Sequence, residues 1–184
     1  MFSIEISISY VFALSLTLFI AFDKSGVFLP LAFSVAIHEF SHIMALCYFK
    51  AKPKEIKFSM GTINIVNRNV LNLSEEIIAL LVGPLSNLLI FLIFMNLKTY
   101  ENFANINLSL FILNILCVEG LDGGTIIKIV LNNLFEVIVA KNILFIIKTI
   151  NLIAFIIFFI VCIKHNVVNY TFLFFIVYLF LKLW

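Results

Sequence analysis

The chain has 184 residues, of which 64% are hydrophobic and only 12% charged, with 22 phenylalanines and a formal net charge of +2. Apolar content on that scale excludes an ordinary soluble domain, and so small a basic excess gives no footing for nucleic acid. Cys47, Cys117 and Cys162 are odd in number, widely spaced and embedded in apolar sequence, which argues for reduced packing residues rather than a disulfide framework.

At the start of the chain Phe2, Ile4, Ile6 and Ile8 alternate with Ser3, Glu5 and Ser7, a period of two that predicts a short N-terminal strand. No Lys or Arg precedes the first apolar run and no small-residue cleavage site follows it, so a removed signal peptide is not expected. Apolar runs then occupy 9–22, 27–49, 76–97, 106–131, 142–163 and 167–183. Each approaches the ~20 residues needed to cross a bilayer as a helix, the first being short and the fourth broken. The expected fold is an all-α polytopic membrane protein with about six transmembrane helices, forming one membrane-embedded domain over 1–184.

Between the second and third runs Ile56, Phe58 and Met60 alternate on one side of Gly61-Thr62, and Ile63 and Ile65 on the other. That pattern predicts a membrane-associated β-hairpin. It could cap the helices, or offer a strand edge at Gly61, Ile63 and Ile65 to an extended peptide. With six spans, Lys50, Lys52, Lys54, Lys57, Arg68, Lys128, Lys141, Lys148 and Lys182 share the side of the termini, against Lys24, Lys98 and Lys164 opposite. The positive-inside rule then makes the termini and the hairpin cytoplasmic.

The second run carries the chemistry. His38-Glu39-Phe40-Ser41-His42 lies at its middle, where ionisable groups are expensive and signal function. One helical turn separates the two histidines, so both imidazoles can reach one Zn²⁺, and Glu39 stands beside them to handle protons. A hydrolytic zinc needs a third protein ligand and an open position for water. The chain has two aspartates, and only Asp122 lies within an apolar run rather than at its edge. Asp122 is therefore the expected third ligand, with an ion pair to Lys128 as the plainer alternative. Gly123 and Gly124 would let its carboxylate project from an unwound turn. Glu119 and Cys117 are further donors without an assigned role, and His165 is read as an interfacial residue.

Gly83-Pro84-Leu85-Ser86-Asn87 permits close helix approach, and Asn87 can hydrogen-bond across helices. Together with His-Glu-Phe-Ser-His, and with Asn114 followed by Leu121-Asp122-Gly123-Gly124, it makes a set that resembles the site-2 protease family of intramembrane zinc metalloproteases. The elements stand in the family's order and extend from 27 to about 131. The chain looks most like the branch containing the stage IV sporulation protease, without the regulatory domain that follows the membrane core there. Cys117, Glu119 and Gly120 stand where family members commonly place prolines.

The resemblance implies hydrolysis of a peptide bond in or next to a transmembrane segment of a membrane-associated regulatory protein. One catalytic Zn²⁺ would be held by His38, His42 and Asp122, with Glu39 as general base and Asn114 as a positioning hydrogen bonder. The implied partners are that protein substrate, the lipid bilayer and a regulatory membrane protein, and the implied location is a bacterial plasma membrane. The alternative is a catalytically inactive member that binds a transmembrane partner.

Overall fold

The computed structural model describes residues 5–10, 17, 20–21, 23, 26–51, 53–59, 62–67, 71–118 and 120–164. The chain divides into two compact units, Met1–Ile115 and Leu116–Trp184. In the first, strand β1 (Glu5–Ile8) is followed by helix α1 (Phe28–Tyr48), strands β2 (Pro53–Ser59) and β3 (Thr62–Asn67), helix α2 (Leu73–Phe94), a 3₁₀ turn (Lys98–Tyr100) and helix α3 (Glu101–Ile115). The second contains helices α4 (Asp122–Leu134) and α5 (Val137–Lys164).

Each end of the helical core has a local cause. The Asp23 carboxylate accepts from the amides of Val27 and Phe28 at 3.3 and 2.9 Å, occupying donors that the start of α1 leaves open. At its far end Lys50 takes the left-handed conformation with φ 58°. Lys50 N–H then reaches Cys47 O at 3.0 Å and Ala51 N–H reaches Leu46 O at 2.9 Å, a Schellman ending. Its apolar clasp is real, since Leu46 and Ala51 lie in one buried cluster with Ala45 and Ala79. Helix α2 opens on a capping box, Glu75 N–H to Asn72 Oδ1 at 2.9 Å and Asn72 N–H to Glu75 Oε2 at 3.0 Å. Opposite this end, Phe33 of α1 and Phe94 of α2 both stack on Phe103 of α3, with ring centroids 6.2 and 5.5 Å away.

The three strands form one sheet in the order β1-β2-β3, with β1 parallel to β2 and β3 antiparallel to it. An all-α description is therefore incomplete.

The count of about six spans is also corrected. Among the described residues three helical segments are long and apolar enough to cross a membrane: Phe28–Tyr48, Leu73–Phe94 and Val137–Ala154. These make the chain an integral membrane protein. The run at 106–131 is not one helix but two, because the chain leaves helical geometry between Ile115 and Asp122. Leu121 N–H closes a turn on Val118 O at 3.1 Å, and Gly120 takes a positive φ of 85° there, a conformation glycine adopts without steric cost. The resulting helices of 15 and 13 residues are too short to span alone. Most of the run at 9–22 and all of that at 167–183 lie outside the described residues, as do Gly61, Glu119 and His165.

Candidate metal centre

The histidines belong to α1, and their surroundings come from α2 and α3. His38 is the eleventh residue of the 21-residue α1, roughly 15 Å of helix from either end at about 1.5 Å per residue. Both side chains are buried, His38 to 6% and His42 to 8% exposure. Their rings lie edge to face with centroids 4.7 Å apart and planes at 84°.

Hydrogen bonding fixes which nitrogen of each ring faces the other. His38 Nδ1 lies 2.7 Å from Asn87 Oδ1, and His42 Nδ1 lies 2.7 Å from the backbone oxygen of Ala79. Both partners are oxygen acceptors, so each Nδ1 carries the proton and donates it. Each Nε2 is then left with a lone pair, and the two Nε2 atoms face each other at 3.1 Å. Two lone pairs so close repel unless a cation lies between them. Two nitrogens bound tetrahedrally to one zinc, each at about 2.0–2.1 Å, stand about 3.3 Å apart. The imidazole pair therefore fits a metal ion, with the outer hydrogen bonds that metal-ligating histidines ordinarily make.

Helix α2 approaches this pair as closely as a backbone can. A Cβ built at Gly83 would collide with Nε2 and Cε1 of His42 and lie 2.9 Å from Cε1 of His38. Only glycine leaves the rings their place. Pro84 follows inside the helix and is buried. Its missing N–H and its ring loosen the turn above it, next to the carbonyl that His42 uses.

Asn87 does more than join helices. Its side chain is wholly buried, and Nδ2 donates to Ser34 O at 3.2 Å and to Asn107 Oδ1 at 2.9 Å. Asn107, on α3, donates in turn to Ser34 Oγ and to Phe103 O, both at 2.9 Å. Ser34 and Asn107 escaped the sequence reading. Their signal was available, since isolated polar residues in apolar helices tend to face other helices. Asn114, two turns beyond Asn107, gives its Nδ2 hydrogen to Leu110 O of its own helix at 3.0 Å.

Asp122 belongs to the second unit. Gly123 and Gly124 do not unwind the chain there: both are buried within the first turn of α4, which begins at Asp122. Helical geometry is lost before the aspartate, around Gly120, and the extended Leu121 (φ −103°, ψ 162°) leads into the helix. At the first turn the carboxylate benefits from the positive end of the helix dipole. Thr125 ties this turn down, with its N–H and Oγ1 donating to Leu121 O at 2.9 and 3.0 Å. Asn151 of α5 holds the approach by donating to Cys117 O at 2.8 Å, another contact the sequence reading missed.

Glu39 is half-buried on α1, and Ile63 and Ile65 lie on β3, where Ile63 pairs with Phe58 and Ile65 with Ile56. Of the residues expected to hold a metal ion, His38 and His42 face each other within the first unit, and Asp122 opens α4 of the second.

Among solved structures the fold matches Site-2 Protease from Methanocaldococcus jannaschii with a TM-score of 0.70, covering 100% of this chain and 90% of that chain. The fold is that of a site-2 protease. Sequence identity to that protein is 16%, so the likeness is one of fold. No protein-family model matches the chain. No curated protein matches it either.

Proposed function

We propose that the protein is an intramembrane zinc metalloprotease that cuts a peptide bond in or next to a membrane segment of a membrane-associated regulatory protein. The observation that carries this reading is the pair of Nε2 atoms facing each other at 3.1 Å in the middle of a buried helix, with both Nδ1 atoms already committed. His38, His42 and Asp122 would hold the ion, leaving a fourth position for water. When bound, zinc polarises that water and lowers its pKa toward neutrality.

Glu39, beside the first histidine, takes the proton from the attacking water and returns it to the departing amine. His38 and His42 keep their outer protons on Asn87 and Ala79, which holds the rings in place throughout. A helical substrate hides its carbonyls in its own hydrogen bonds, so it must be drawn out. Strand β3 supports a way of doing so: it pairs with β2 on one side only among the described residues, and its other edge can take an extended peptide alongside Ile63 and Ile65. Orientation follows from charge. The connection from α1 to α2 carries Lys50, Lys52, Lys54, Lys57 and Arg68, against Lys98 alone between α2 and α3, so the sheet faces the cytoplasm.

The test is cleavage in reconstituted vesicles loaded with zinc and candidate membrane substrates. Glu39→Gln keeps its zinc and loses cleavage by roughly 10²–10⁴-fold, the usual worth of a general base. Unchanged cleavage by zinc-bound Glu39→Gln would falsify the mechanism.

A further inference from the structure

The two histidines are held in different ways. His42 gives its Nδ1 proton to a backbone oxygen, which can only accept, so its tautomer is settled by the main chain of α2. His38 gives its proton to the amide of Asn87. An amide has an oxygen and a nitrogen of nearly the same shape at its two ends, and either could face the ring. Turned over, Asn87 would present N–H to Nδ1, force the proton onto Nε2 and remove the lone pair a metal needs.

What prevents the turn is a chain of hydrogen bonds that runs away from the histidine. Asn87 Nδ2 faces two acceptors, Ser34 O and Asn107 Oδ1. A flipped Asn87 would set oxygen against oxygen at both. Asn107 presents its oxygen because its nitrogen is claimed by Phe103 O and Ser34 Oγ. Ser34 Oγ accepts because its own hydrogen goes to Pro30 O at 2.8 Å. Three backbone carbonyls, at Ser34, Phe103 and Pro30, thus anchor the direction of every bond in the chain. Ser34, Asn87 and Asn107 are all fully buried, so water is not at hand to replace a lost partner.

We infer that Asn107 and Ser34 are positioning residues that set the tautomer of His38, and through it the metal affinity of the site, without touching the metal or the substrate. The inference rests on the metal-site reading above, but the tautomer can be measured without any metal. In the apo protein, ¹⁵N chemical shifts distinguish Nδ1–H from Nε2–H rings. Wild type is expected to show Nδ1–H at both histidines.

Asn107→Leu, close in size, moves His38 toward the Nε2–H form while His42 stays as it was. A merely structural role would disturb both rings or neither. Zinc affinity, read by chelator competition, falls by about 10–100-fold, the range found for partners of metal-bound histidines. Asn107→Asp, which keeps an acceptor oxygen toward Asn87, retains the wild-type His38 signal. Should Asn107→Leu fail to fold, Ser34→Ala removes a single hydroxyl and is read in the same way, with a smaller shift in the same direction. A folded variant in which His38 remains wholly Nδ1–H overturns the inference. Correct tautomers in a wild-type protein that binds no zinc would support the relay and defeat the protease reading instead.

Discussion

The two units hold their candidate ligand residues by opposite means. In the first, the histidine pair sits mid-helix, and each ring is fixed by a hydrogen bond to α2 and crowded by the backbone of that same helix at Gly83. In the second, Asp122 stands at a helix start reached through a non-helical turn, where Asn151 donates to the carbonyl of Cys117 and Thr125 to that of Leu121. Ligands built into helix interiors are pre-positioned by packing. A ligand delivered by a turn depends on what anchors that turn and can be disturbed through it.

The sharpest way to break this contrast is at Gly83. In Gly83→Ala the new methyl has no space that is not occupied by the imidazoles, so His42 must swing away and surrender its bond to Ala79. Zinc affinity should fall on the order of 100-fold or more, since a ligand and its outer partner are lost together. Gly26→Ala is the control: it meets nothing within 4 Å, and only its φ of +69° is unfavourable. That variant should cost about 1–2 kcal/mol of stability and leave zinc binding alone. Equal zinc affinity in both variants would mean that α2 does not confine the histidines.

Asn151→Leu probes the other region. With the part-buried Cys117 O left without this donor, roughly 1 kcal/mol is lost and the turn before Asp122 is freed to move. Zinc affinity should drop by about 10-fold, the mild end of an outer-partner loss. The ¹⁵N signals of apo His38 and His42 should not change. If those signals move, the second unit influences the histidine tautomers and the contrast between the units is wrong.

The sequence made the first region legible and the second only in part, for physical reasons. A run of apolar residues reports helix length, so 27–49 anticipates Phe28–Tyr48 closely, and the one-turn spacing of His38 and His42 puts them on one face without any tertiary knowledge. The apolar run that leads into α2 begins only at 76, three residues after the helix does, although Asn72 and Glu75 spell a capping box. The run at 106–131 misled because hydropathy averages over a window. Val118 is apolar and fully buried inside a turn, so it counts toward a helix that is not there, and Gly120 alone marks the break. The roles of Ser34, Asn107 and Asn151 depend on which helices pack together. No local pattern carries that information.

The smallest effect expected lies at Lys50, and it separates strain at a helix end from strain at a site. Lys50 holds φ 58° at the left-handed position that ends α1, where glycine is the usual occupant. A side chain there costs about 1 kcal/mol or slightly more. Gly in its place would keep both terminal bonds, to Cys47 O and Leu46 O, because these come from the main chain. Lys50→Gly removes the steric cost but enlarges the freedom of the unfolded chain, which takes back part of the gain. The net expectation is stabilisation of under about 1 kcal/mol, a rise of a few degrees or less in Tm for a chain of this size. Zinc affinity and both histidine signals should be those of the wild type. A fall in Tm would show that the Lys50 side chain contributes more than its backbone strain costs, and that this helix end is held by the side chain as well as by the Leu46–Ala51 contact.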